Sequence, residues 1–505
     1  MSPAPAPPQQ GTSKGLKANS IGFLDGLAIG LDSTAPAYSL AAVLGSVVVL
    51  VGVQAPAVLL VSFVPMFLIA GAFFYMNKAD QDCGTCFAWV TRAMGPSFGW
   101  LAGWAIFVTG LLVIGSLADV SAYYLFDLVG LDGLRDSEAA VVAFAVVIIA
   151  VMTTICVIGT EASAMVQRIL VLAQVGVLLL FVVVAAIRLA IGDVPAASID
   201  PSLSWLNPFA ISSYQALLSG MLLCVFIYWG WESALNLSEE SEDSARAPGL
   251  AGILSVVILL GTYIGVAVTM VAVAGLAKVE HFANDPGLFG AVAKDVLGPF
   301  SFLIVLAIVT SGLASTQTTI LPASRTSLSM ATAGAFPKAF ARIHPRFETP
   351  DFSTITIGVA AALWYVAASV ISDNFLLDSL SALSLMIAFY YALTGIACAI
   401  YWRHELRRSL KNFLFIGVGP VVGALMLFYL LYESVLDLAD PASSSGNSAV
   451  FGIGMPLAIG IFFSLLGVGF MIAWRLGPGR EFFTTHHALE SVPPEIALGA
   501  PASTS

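Results

Sequence analysis

GLAIGLDSTAPAYSLAAVLG, residues 26–45, is the stretch on which the fold turns. Most of it has the composition of a membrane-spanning helix, yet its centre carries Asp32, Ser33, Thr34 and Pro36. Proline removes a backbone donor and clashes with the preceding helical turn. An ionisable side chain at bilayer depth is costly unless it lines a site or a water-filled path. The stretch therefore reads as a membrane helix interrupted at its middle.

The rest of the chain supports that setting. It is 58% hydrophobic and 10% charged, against about 25% charged in an ordinary soluble domain. Apolar runs close to the ~20 residues that a spanning helix needs recur throughout. Twelve are predicted, over 20–48, 55–76, 98–126, 139–158, 164–190, 212–236, 248–275, 295–322, 353–371, 376–401, 412–435 and 449–475. The short alternating segments of a membrane barrel are absent from the pattern, so the expected fold class is all-α integral membrane. With the N-terminus inside, 16 of the 20 Lys and Arg fall on inner segments and 4 on outer ones, which is the bias that sets orientation. Both termini are then cytoplasmic. Residues 1–19 and roughly 478–505 read as disordered cytoplasmic tails, and the first of them lacks the apolar core of a cleaved signal peptide. No GxxxxGK[ST] loop equips the chain for ATP-driven pumping. No cofactor is expected, and the net charge of −11 gives no reason to expect a nucleic-acid partner.

Cys83 and Cys86 form C-x-x-C, a spacing suited to zinc or redox chemistry. Closed zinc sites want four ligands, no other Cys or His lies nearby in sequence, and a cytoplasmic face is reducing. Two ordinary thiols are expected, and no metal. Cys156, Cys224 and Cys398 fall within helices as packing residues.

Four acids lie more than two residues inside the predicted spans: Asp25, Asp32, Asp119 and Glu232. Asp119 lies toward the outer end of its helix, within reach of the interface. Asp25 lies toward an inner end, where it either pairs with Arg92 or Arg325 as an inner gate or snorkels to water. Asp32 and Glu232 each accompany a helix disruption. Around Glu232 the chain reads FIYWGWESALNLSEE, with Gly230 between Trp229 and Trp231. Glycine there permits unwinding and close approach of a ligand to the backbone. Broken helices at corresponding positions of two halves mark the binding site of a secondary transporter. Here they are the first and the sixth helix, five apart. The simpler reading is of buried acids satisfied by the nearby hydroxyls of Ser33, Thr34 and Ser233.

Four stretches carry a resemblance to a known family: STAPAYSLAAVLG, DCGTCFAWVTRAMGPSFGWLAGW, FIYWGWESALNLSEESEDSARAPGLA and PASRTSLSMATAGAFPKAFARIHPRFETP. Together they make the chain similar to the amino acid–polyamine–organocation (APC) superfamily, in its actinobacterial-type permease branch. The resemblance implies a LeuT-like fold with a five-plus-five inverted repeat. Helices 1–5 over 20–190 and helices 6–10 over 212–401 would form the two halves, and two additional C-terminal helices would lie over 412–475. It implies alternating access around a midplane site where helix-end partial charges hold the substrate's carboxylate and ammonium. By motif, Ser33, Thr34, Ala35 and Ala37 would form the first-helix cradle. Trp229 and Gly230 would form the sixth-helix break, Phe226 the aromatic gate, and Glu232 the acidic position after the glycine.

Two departures from the family pattern bear on what is carried. Where many members have a glycine-flanked turn, this chain has Asp32, which would engage a substrate amine or serve as a proton site. Where several relatives carry a coupling Lys in helix 5, the matching residue is Gln174, and all five histidines lie in loops or tails. If protons drive transport, Asp32 or Glu232 must carry them. Sodium, bound through Ser315 or Thr316 in helix 8, is the other ion the pattern allows. The expected function is secondary active amino acid import across the cytoplasmic membrane, coupled to H+, with a polyamine or organic amine carrier or an exchanger as the alternative. A channel would need charged rings or a continuous polar stripe, and an enzyme a nucleophile–base or metal constellation.

Overall fold

The computed structural model describes residues 14–159, 161–282, 287–371, 375–444 and 448–485. The helices run in chain order as α1 (Phe23–Ser33), α2 (Pro36–Val51), α3 (Ala55–Ala79), α4 (Cys86–Met94), α5 (Pro96–Leu128), α6 (Asp132–Arg135), α7 (Glu138–Ile158), α8 (Glu161–Ile191), α9 (Tyr214–Ile227), α10 (Ala247–His281), α11 (Leu288–Leu297), α12 (Phe302–Thr332), α13 (Asp351–Ile371), α14 (Phe375–Tyr401), α15 (Leu410–Asn412), α16 (Gly419–Asp437), α17 (Met455–Leu476) and α18 (Arg480–Thr484). A ten-residue 3-10 helix, Trp231–Glu240, follows α9. Among the described residues, the sheet content is one two-stranded ribbon, Ala449–Val450 with Ile453–Gly454.

Among the described residues, eleven helical stretches are long and apolar enough to cross a bilayer, where twelve were expected. The first, Phe23–Ala79, is 57 residues long. As one straight rod it would reach about 85 Å, nearly three times the ~30 Å hydrocarbon thickness. It runs the first two expected spans together through the 3-10 turn Gly52–Gln54, where Gly52 has φ +63°. The expected span 295–322 lies instead at Phe302–Thr332. Gly298 (φ +56°) and Pro299 end a separate short helix, α11, and the hydroxyl-rich SRTSLS continues α12 beyond the apolar run.

The core is gathered between α3, α5, α10, α12 and α14; α12 packs along α5 and α3 along α10. Outward faces of α8 and α13 expose large apolar side chains, among them Leu172, Val183, Leu363 and Val370. Such a belt is what hydrocarbon solvent selects, since water would not tolerate it over so wide an area.

The tails expected over 1–19 and 478–505 are structured in part. Leu16 is buried against Cys83 and Leu328. The Ser20 and Ile21 amides donate to the Glu240 carbonyl at 2.8 and 3.0 Å. At the other end Phe482 of α18 stacks on Phe87 of α4. Residues 1–13 and 486–505 lie outside the described residues.

Candidate functional site

The first break is built as its sequence predicts. α1 stops at Ser33, Ala35 takes a left-handed conformation (φ +48°, ψ +61°), and Pro36 opens α2 at its first position, where a missing N–H costs nothing. The local ends are satisfied internally: the Thr34 hydroxyl donates to the Leu31 carbonyl at 2.6 Å, and the Ser39 hydroxyl to the Thr34 carbonyl at 2.7 Å. The second break follows Ile227. Tyr263 donates to the Ile227 carbonyl at 2.9 Å, Gly230 turns the chain with φ +118°, and the 3-10 helix begins.

The two breaks touch. A Cβ placed on Gly230 would lie 2.6 Å from the Ser33 carbonyl oxygen and 3.0 Å from the Thr34 nitrogen. The hydroxyls of Ser33 and Ser233 are hydrogen-bonded at 2.7 Å. Phe226, on the last turn of α9, meets Tyr38 of α2 edge to face at 6.2 Å. Ser33, Thr34, Ala35, Ala37, Phe226, Trp229 and Gly230 are all buried, so the conformation is closed over the breaks.

The two acids differ in their surroundings. Glu232 is 4% exposed. Its Oε1 accepts from the Tyr390 hydroxyl at 2.6 Å, and its Oε2 from the Tyr391 hydroxyl at 2.5 Å and the Gly230 amide at 3.1 Å. The Trp229 indole donates to Tyr390. Sequence reasoning missed both tyrosines; the visible signal was a Tyr pair inside the apolar α14. Asp32, 0% exposed, turns toward α8, where Gln174 Nε2 donates to its Oδ1 at 2.9 Å. The sodium candidates lie beside the first break: Ser315 donates to the Ser33 carbonyl at 3.0 Å, while Thr316 donates within its own helix to Gly312 at 2.7 Å. Asp119 accepts from the Tyr365 hydroxyl.

The expected partner of Asp25 was Arg92 or Arg325; the structure pairs it with Arg168 of α8 at 2.7 Å. Arg92 is engaged by Asp80 and Asp82. Arg325 is held by Glu240 through two bonds, 2.7 and 3.2 Å, with both side chains 1% exposed. The expectation failed because Glu240 of the 3-10 helix takes Arg325, while Asp80 and Asp82, between α3 and α4, take Arg92.

At the same end of the bundle the Lys14 ammonium sits 2.8 Å from Asp82 and 2.6 Å from Glu239. Ser329 also donates to Asp82, at 2.7 Å. Asp82, Cys83 and Glu239 present ligand atoms within 4.8 Å of one another, but the cation among them is the chain's own lysine. Burial opposes the Lys14 charge, yet Asp82, Cys83 and Glu239 outweigh it and hold the ammonium above the ordinary lysine range. Burial likewise opposes the Asp82 charge; the Lys14 charge and the bonds from Lys14, Ser329 and Gly84 hold its carboxyl below the usual range. Burial pushes the Cys83 thiol well up. Both C-x-x-C cysteines are free and buried.

The chain matches a family model described as Amino acid permease over residues 30–463. It is 25% identical over 328 residues to the Arabidopsis thaliana protein named cationic amino acid transporter 3, mitochondrial, covering 59% of this chain and 50% of that one. This chain thus spans about half the length of that relative. It is 26% identical over 373 residues to an uncharacterized transporter of Mycobacterium tuberculosis, covering 74% and 75%. Among solved structures, MhsT in complex with L-phenylalanine superposes with a TM-score of 0.55 at 16% identity, covering 80% of this chain and 98% of that one. That likeness establishes the LeuT-like fold.

Proposed function

Since the chain belongs to the amino acid permease family and is a multi-pass membrane transporter, we propose that it imports an amino acid across the cytoplasmic membrane by alternating access, coupled to protons. The observation that carries the reading is the contact between the two helix breaks, Gly230 against Ser33. A zwitterion lodged there would place its ammonium at the carbonyl ends of α1 and α9, and its carboxylate at the amide ends of α2 and the 3-10 helix. Phe226 and Trp229 would bound the side-chain space. The twelve-helix reading, with an inverted repeat over 20–190 and 212–401, fits breaks in the first and sixth members.

The inner gate, in this proposal, is a layer of ion pairs on the face that carries both ends of the described chain: Asp25 with Arg168, Arg325 with Glu240, and Arg92 and Lys14 with Asp82. Opening inward would separate the 3-10 helix from α12 and from the α3–α4 turn. That face is the cytoplasmic one under the positive-inside bias.

A cationic substrate is favoured by the relative named for cationic amino acids. The test is uptake by proteoliposomes of single cationic amino acids, neutral amino acids and polyamines under imposed proton or sodium gradients. Accumulation of a cationic amino acid driven by an inward proton gradient is the expected result. Accumulation of polyamines alone would favour the amine carrier, and strict one-for-one counterflow the exchanger.

A further inference from the structure

Two atoms on adjacent buried side chains have no hydrogen-bond partner among the described residues: Asp32 Oδ2 and Gln174 Oε1. Their companion atoms are already joined, with Gln174 Nε2 donating to Asp32 Oδ1 at 2.9 Å. Both residues are 0% exposed. A primary amide has one donor and one acceptor end. Opposite an ionised carboxylate it can use only the donor, because the carboxylate offers no hydrogen in return. Opposite a neutral carboxylic acid it closes a two-bond ring, amide N–H to one oxygen and acid O–H to the amide oxygen. A single proton therefore answers both unpartnered atoms.

We propose that Asp32 and Gln174 form the proton site of this carrier, with the Asp32 carboxyl protonated in the closed conformation and its hydroxyl donating to Gln174 Oε1. Gln174 is the positioning residue. The proposal rests on the proton-coupled reading only for its role in transport; the protonated pair itself is a separate claim.

Among the described residues, the elements packed against α1 leave no other charge to balance an ionised Asp32. α1 packs against α8, α10, α12 and the 3-10 helix. On α8, Arg168 is taken by Asp25 and Arg188 by the Asp295 carbonyl. On the 3-10 helix, Glu232 is held by Tyr390 and Tyr391, Glu239 by Lys14, and Glu240 by Arg325 of α12. On α10, Tyr263 donates to Ile227, Lys278 pairs with Asp295, and Glu280 and His281 lie at the end of the helix. Glu232, its three bonds complete, is by contrast a fastening of the second break.

Chemically, loading adds H+ to Oδ2 and closes the ring. Release passes H+ from Oδ2 to water and breaks the O–H···Oε1 bond, leaving the Gln174 Nε2–H···Oδ1 bond as the single link of this pair between α1 and α8. This ties protonation to the movement of the broken helix.

The direct test is infrared difference spectroscopy on the purified full-length protein, cycled in pH, with Asp32→Asn, Gln174→Leu and Gln174→Glu beside the wild type. At neutral pH the wild type should show the C=O stretch of a hydrogen-bonded carboxylic acid, absent from Asp32→Asn. In Gln174→Leu the band should move to the higher frequency of an unbonded acid. In Gln174→Glu, two carboxyls share the site and the band should persist to higher pH. A wild-type spectrum without a band removed by Asp32→Asn would overturn the proposal, as would a band indifferent to both Gln174 variants. A shift of the Asp32 carboxylate stretches on adding sodium, with no acid band at any pH, would overturn it in favour of a sodium site. None of these outcomes depends on the substrate, so a transporter that carried no amino acid would fail the functional reading and leave this one standing.

Discussion

Tyr391 donates its hydroxyl to Glu232 Oε2 at 2.5 Å, from a helix 159 residues along the chain. With Tyr390 on the other oxygen at 2.6 Å, this bond fastens the second helix break to α14. Hydrogen bonds to a buried charged acceptor are worth about 1.5–3 kcal/mol each. Glu232→Gln should therefore lower stability by about 1–3 kcal/mol and slow transport. The pH at which uptake is half-maximal should not move. Thermal unfolding in detergent and a pH profile of uptake would check both parts; a displaced pH midpoint would return Glu232 to the coupling role.

Arg325 and Glu240 make the buried ion pair under α12. Removing one partner from such a pair costs about 3–5 kcal/mol, while replacing both by apolar groups of similar size is often neutral. Arg325→Met alone should be strongly destabilised and Arg325→Met with Glu240→Leu much less so. Equal melting temperatures for the two would show that the pair carries no such burden.

Lys14 closes the same face, and its pairing sets a pH window. The Lys14 ammonium is held above its ordinary value, so its contribution is complete below about pH 10 and is lost as pH rises through the raised value. The Asp82 carboxyl is held below its ordinary value. Its contribution is present above about pH 4 and is lost as pH falls through the lowered value. Between those limits the latch should stay shut and Cys83 should resist a maleimide. Lys14→Gln should raise the labelling rate of Cys83 several-fold at neutral pH in a Cys86→Ser background; unchanged labelling would mean that Lys14 does not guard this face.

Much of the fold was legible because bilayer solvent imposes a simple rule: spans of ~20 apolar residues. Pro36 and Gly230 announced the two breaks, since each alters the backbone in a way that needs no tertiary information. The partners of the acids were hidden for the opposite reason. Asp32 meets Gln174 across 142 residues and Glu232 meets Tyr390 across 158. A periodic apolar pattern says which residues are buried and not which of them meet. The Arg325–Glu240 pair was hidden because a 3-10 helix rises faster per residue than an α-helix, and its SEE end reads in sequence as a solvated loop. Lys14 was lost in a tail whose composition reads as disordered although its last six residues, 14–19, are described and Leu16 is buried.

The proposed substrate site is the place where the two breaks touch. Gly230→Ala puts a methyl 2.6 Å from the Ser33 carbonyl oxygen and strains a residue at φ +118°; such a backbone costs about 1–3 kcal/mol. Substrate binding to the purified variant, measured beside its thermal unfolding, is the decisive experiment. The expected result is a folded protein that binds the transported substrate at least ten-fold more weakly than the wild type. Wild-type affinity in a folded Gly230→Ala protein would contradict it.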